Sequence, residues 1–146
     1  KHLIARTSGV YGWEPQRKNY VVRLLDVLAL GKTMPAWTDQ TLTPTWAANL
    51  AQMTWDLVDQ GATGTYHVCG GEPTQRLAFA RLVCEIFGRD PELLVAVEGA
   101  LPGSVGTRRP RCPALDTSKV RAALRHCKPA TPRQAGGLLC AWRRLS

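Results

Sequence analysis

Short apolar runs alternate along this chain with stretches of helical spacing. The run His2–Arg6 predicts a buried strand. A turn-rich segment, Thr7–Gly12, and a polar loop, Trp13–Lys18 with Pro15, follow it. Asn19 can then cap a helix, in which Tyr20, Val21, Leu24, Leu25, Val27 and Leu28 recur at helical spacing until Gly31. Met34–Trp37 reads as a strand and Thr38–Thr45, with Pro44, as a polar loop. Trp46–Gln60 is the clearest amphipathic helix, with Leu50, Met53, Thr54, Leu57 and Val58 on one side and Asp56 and Asp59 off it. Thr65–Cys69 reads as a strand and Gly70-Gly71 as a turn. Thr74 is expected to cap a helix over Gln75–Phe87, which Gly88 closes. Leu93–Val97 is strand-like, and Glu98–Pro113 is a loop rich in Gly, Pro and Arg. Asp116 caps a short helix, Thr117–Leu124, and Pro132–Leu145 forms a terminal helix weakened by Gly136-Gly137. There is no internal repeat. Strands alternating with helices place the chain in the α/β or α+β class.

Composition narrows the picture. The chain has 146 residues, 45% hydrophobic and 21% charged, enough to build one core and too apolar for a disordered chain. No apolar run approaches the ~18 residues of a membrane span. Lys1 opens directly onto a strand with no signal-peptide pattern before it. We therefore expect a cytoplasmic C-terminal piece of a longer polypeptide.

Charge is uneven. The net charge is +8, and from Thr107 to Ser146 ten basic residues stand against the single acid Asp116. Such an end can attract phosphate or an acidic partner, or simply be a solvated face. No helix-turn-helix, zinc finger or aromatic RNA-binding signature accompanies it, so nucleic acid is not the expected partner. The five cysteines are odd in number and contain no C-x-x-C, which argues against a disulfide framework or a zinc site.

Three loops carry candidate chemistry. Gly99, Gly103 and Gly106 imitate a dinucleotide loop, but the residues after them do not start a helix, so no N-terminal N–H groups would face a pyrophosphate. Arg108-Arg109-Pro110 is the best phosphate site, because guanidinium forks bind phosphate oxygens in pairs. Asp39 and Gln40 could hydrogen-bond a sugar or base. No nucleophile stands beside a base. Tyr11, Tyr20 and Tyr66 are followed at i+4 by Pro15, Leu24 and Gly70, so the Tyr-x-x-x-Lys pair of short-chain dehydrogenases is absent.

The order of the motifs is distinctive. Arg6-Thr7-Ser8-Gly9-Val10-Tyr11-Gly12, Lys18–Val21, Asp39-Gln40 with Pro44-Thr45, and Leu50-Ala51 come first. Gly64–His67, Phe79-Ala80, Arg108–Pro110 and Leu115–Lys119 follow. This series resembles the C-terminal half of dTDP-4-dehydrorhamnose reductase and its relatives among the extended short-chain dehydrogenase/reductases. The resemblance runs from Lys1 to about Leu124.

The resemblance implies an α/β chain made of late Rossmann strands plus a small α+β substrate-binding domain. The N-terminal Rossmann half, with its glycine loop and Tyr-x-x-x-Lys, would lie outside residues 1–146. The whole enzyme would be an oxidoreductase of dTDP-rhamnose biosynthesis that passes hydride from NADP or NAD cofactor to a nucleotide-diphosphate sugar. This piece alone would bind no cofactor and be inactive. Asn19 and Gln40 would approach the nucleotide or its diphosphate, and Arg108 or Arg109 would pair with the diphosphate. Thr7, Ser8 and Gly9 would lie near the nicotinamide, and Thr45 would support the loop. The bacterial reductases place Trp where this chain has Gly9, which opens the sugar pocket. Implied partners are the missing half and a second copy or partner enzyme. Members of the same family also serve as non-catalytic subunits, such as the methionine adenosyltransferase beta subunit, whose Arg-Pro-Arg stretch is similar to Arg109–Arg111. Asp39-Gln40 favours the reductase side. Strands His2–Arg6 and Thr65–Cys69 are expected to find sheet neighbours only in the missing half, making the isolated chain marginal.

Overall fold

The computed structural model describes residues 1–99 and 111–143. Among these residues eight short strands form four pairs. Strand β1 (Leu3–Arg6) runs parallel to β6 (Gly64–His67), with Leu3 opposite Gly64 and Arg6 opposite His67. Strand β2 (Val10–Tyr11) is parallel to β5 (Thr45–Trp46), and β3 (Met34–Trp37) to β8 (Leu94–Val97). Strand β4 (Thr41–Leu42) is antiparallel to β7 (Thr74–Gln75). The helices are α1 (Tyr20–Ala29), α2 (Ala47–Asp59), α3 (Arg76–Phe87), α4 (Ser118–Ala123) and α5 (Pro132–Arg143). No described helix is long and apolar enough to cross a membrane.

Two cores hold these elements. In the first, Val21, Leu24, Leu25 and Leu28 of α1 meet Leu77, Phe79, Ala80 and Val83 of α3, with Tyr11, Ala36, Ala135 and Leu139. Asn19 starts α1 as expected: its side-chain oxygen accepts from the Val22 N–H at 3.2 Å, a cap worth about 0.5–2 kcal/mol. The second core gathers Met53, Leu57, Val68 and Val120 beneath β1 and β6.

Several expectations need correction. Strands β1 and β6 pair with each other instead of waiting for outside neighbours; the helix α2 returns the chain so that β6 lies alongside β1. Among the described residues each strand of this pair has the other as its one neighbour, so the outer edges of β1 and β6 both lack a strand. The segment 38–45 is not all loop, because β4 forms within it and β5 begins at its end. Thr74 does not cap α3. It belongs to β7, and Gln75 occupies the cap position without a side-chain cap bond.

Helix α2 is rotated relative to the expected apolar face. Val58 is 49% exposed, while Asp56 is buried. Asp56 Oδ2 accepts from the backbone N–H groups of Arg125 and His126, both at 2.9 Å, and Oδ1 accepts from Gln60 Nε2 at 2.7 Å. A buried carboxylate with these partners is satisfied, so periodicity alone misplaced it. Asp116 caps α4 from one residue further out, its Oδ1 accepting from Ser118 N–H and Oγ, while Thr117 holds the cap position.

Candidate functional site

The site is organised by one buried hydroxyl. The loop Thr7–Gly12 leaves the carboxyl end of β1, and Thr45 enters beneath it from β5. Thr45 Oγ1 donates to the Ser8 carbonyl at 2.7 Å and accepts from the Gly70 N–H at 3.1 Å. The Thr45 N–H donates to the Gly9 carbonyl at 3.1 Å. Three segments distant in sequence thus meet at a side chain with no exposed surface. Gly70 is required there by close approach: an added Cβ would stand 1.9 Å from the Pro44 carbonyl oxygen.

Gly9 has φ +56°, and a Cβ built on it would lie 2.9 Å from Leu42 Cδ1 and 3.1 Å from the Thr43 carbonyl oxygen. A side chain at position 9 would need Leu42 and the Thr43 carbonyl to give way and would sit on a left-handed backbone, which glycine adopts at no steric cost. Thr7 and Gly9 are exposed, and Ser8 is half-buried with its hydroxyl donating to the Pro113 carbonyl at 3.2 Å.

Gln40 reaches the same neighbourhood through the chain beside it. The Thr41 N–H donates to the Arg111 carbonyl at 2.9 Å, so segment 111–113 is bonded to both Thr41 and Ser8. Asp39 joins two more points there, its Oδ2 accepting from the Gly99 N–H at 3.2 Å and lying 3.9 Å from Arg111 Nε. The Gln40 side chain makes no hydrogen bond among the described residues, while its carbonyl accepts from the Arg76 N–H at 2.8 Å. Asn19 is committed to the fold. Its Nδ2 donates to the Gly12 carbonyl at 2.6 Å and to Glu14 Oε1 at 3.1 Å, tying the end of the 7–12 loop to α1. Arg108, Arg109, Gly103 and Gly106 lie outside the described residues. A cavity of about 390 Å³ opens among Gly12, Trp13, Trp46, Ala47, Ala48 and Leu138, and none of the sequence-predicted site residues lines it.

Sequence reading missed Arg76. Its guanidinium lies 4.2 Å from the Tyr20 ring centroid and 5.6 Å from that of Trp37. Burial raises the Tyr20 hydroxyl above its ordinary pKa, against the opposing pull of the Arg76 charge. The available signal was a cation opening an apolar helix with no acid in its first turn.

Parallel strands with loops gathered outside their carboxyl ends, flanked by helices, define a Rossmann-type α/β protein. The sequence matches the family described as RmlD substrate binding domain over residues 1–135, and the chain belongs to that family. It is 33% identical over 145 residues to a probable low-salt glycan biosynthesis reductase, Agl14, of Haloferax volcanii, covering 96% of this chain and 47% of that protein. It is 31% identical over 88 residues to a dTDP-4-keto-6-deoxy-D-glucose reductase of Streptomyces niveus, covering 60% of this chain and 30% of that one. The fold superposes with a TM-score of 0.81 on a Bacillus anthracis dTDP-4-dehydrorhamnose reductase solved in complex with NADP, at 19% identity over 97% of this chain and 49% of that one. The chain thus spans less than half the length of the curated relatives it matches.

Proposed function

We propose that this chain forms the substrate-binding part of an NAD(P)H-dependent reductase acting on a nucleotide-linked 4-keto-6-deoxy sugar. A longer polypeptide would carry the cofactor's glycine loop and the Tyr-x-x-x-Lys pair. The observation that carries this reading is the bonding of segment 111–113 to both Ser8 and Thr41. It places the chain that follows Arg108 and Arg109 beside the loop Thr7–Gly9 and beside Gln40. The two arginines would pair with the diphosphate, and the free amide of Gln40 would meet the nucleotide. Asn19 would act by fixing the 7–12 loop, since both ends of its amide are engaged.

NADPH or NADH supplies hydride when bound. Thr7 and Gly9, exposed at the carboxyl end of a parallel pair, fit contact with the nicotinamide end. No glycine-to-helix cradle for the cofactor pyrophosphate occurs among the described residues.

The test is calorimetric titration of dTDP into the protein as its gene encodes it. Replacing Arg108 and Arg109 together by Ala is expected to weaken binding at least about tenfold, as for loss of charge-assisted phosphate contacts. Unchanged affinity in the double variant would overturn the assignment. Residues 1–146 alone are expected to oxidise no NADPH with a dTDP-4-keto-6-deoxyhexose.

A further inference from the structure

We propose that Arg76 is a further phosphate-binding residue of this site, its guanidinium held against the rings of Tyr20 and Trp37 and available to a nucleotide diphosphate. This rests on the reading just given and adds a residue to it. The ring distances of 4.2 and 5.6 Å place an aromatic group against the guanidinium from each of two elements, α1 and β3. A guanidinium offers its hydrogen bonds along the edge of its plane, the geometry that pairs with phosphate oxygens. Among the described residues Arg76 makes no ion pair, and its buried Nε has no acceptor.

Its position is electrostatically costly unless an anion arrives. Arg76 is the first residue of α3, at the positive end of the helix dipole, and no acid lies in that first turn. Asp39, next to Gln40 in the chain, directs its Oδ2 to Gly99 and Arg111 and makes no ion pair with Arg76 among the described residues. The location also matches the site. The Arg76 N–H donates to the Gln40 carbonyl, Thr41 is bonded to Arg111, and Tyr20 follows the Asn19 cap. The backbone of Arg76 is thus tied to Gln40, whose neighbour Thr41 is bonded to Arg111.

The experiment compares Arg76→Met and Arg76→Lys with the unaltered protein, as its gene encodes it, by calorimetry with dTDP, thymidine and inorganic pyrophosphate. Arg76→Met should raise the dTDP dissociation constant at least about tenfold and leave thymidine binding unchanged. Arg76→Lys, which keeps charge and stem but not the fork, should fall between the two and controls for folding. Unchanged dTDP affinity in Arg76→Met, with the Arg108/Arg109 double variant still weakened, would overturn this proposal and leave the broader reading standing. Pyrophosphate bound in an Arg76-dependent way without dTDP binding would uphold the anion site and overturn the nucleotide-sugar reading. Failure of the unaltered protein to bind either probe would overturn both.

Discussion

The Thr45 hydroxyl donates to the Ser8 carbonyl across 2.7 Å, joining a fully buried residue to one 37 positions away. The same oxygen receives the Gly70 N–H, so it closes the base of the 7–12 loop from two sides. Thr45→Val keeps the shape and removes both bonds, leaving the Ser8 carbonyl and the buried Gly70 N–H unpaired. We expect a loss of about 1–3 kcal/mol in urea unfolding, with Thr45→Ser much less affected. Equal stability of the Val variant would show that water replaces the hydroxyl.

Two glycines should respond in opposite directions to the same substitution. Gly70→Ala forces a methyl group into the Pro44 carbonyl, backbone against backbone, and should cost about 3 kcal/mol or more or prevent folding. Gly137→Ala meets nothing within 4 Å and lies within α5, so it should stabilise by about 0.5–1 kcal/mol. Thermal unfolding of the two variants in parallel checks both signs.

Asp56 gives a pH signature. The backbone N–H of His126 is the largest influence, joined by Gln60, Arg125 and the Cys127 thiol, and they hold its pKa at about 2 against a desolvation effect that raises it. A depressed carboxylate contributes stability above its unfolded pKa, near 3.8, and loses it as pH falls through the folded value. Between about pH 4 and pH 2 the unaltered protein should therefore lose stability faster than Asp56→Asn. At neutral pH the variant should be the less stable of the two. Parallel urea melts at pH 7, 4 and 2.5 would expose a wrong sign at once.

Thiol labelling should separate the cysteines. Cys112 is exposed, Cys127 and Cys140 are half-buried, and Cys69 and Cys84 are buried with pKa values raised chiefly by desolvation. Only the thiolate reacts, so Cys112 should label first with a disulfide reagent at pH 8, and Cys69 and Cys84 only on unfolding. Early labelling of Cys69 would mean that the base of the 7–12 loop opens readily.

Much of the fold was legible because local signals agreed with the tertiary answer. Asn19 before an apolar-periodic run gave α1, and Gly31 with φ +66° ended it. The errors share a cause: partners distant in sequence. Asp56 is buried because Arg125 and His126, some 70 positions away, present two N–H groups to it. Thr74 joins a strand because Leu42 lies opposite. Arg76 escaped notice for the same reason, since its meaning comes from Tyr20 and Trp37 on other elements. By contrast, the supporting role given to Thr45 came with the order of the motifs, and its hydrogen bonds show the physical basis.

The single-sided pairing of β1 bears on how the protein behaves when concentrated. Its outer edge presents backbone donors and acceptors in register, and Ile4 is 43% exposed. The far edge of β6 is guarded differently, by Lys119, whose ammonium donates to the Thr65 carbonyl at 2.7 Å. On β1 the charge sits at the strand's end, on the exposed Arg6, while Ile4 leaves its middle apolar. Leu3–Arg6 is thus an edge at which copies of the chain could pair when concentrated, and a lysine placed at Ile4 would discourage that pairing at the expense of whatever docks on that strand.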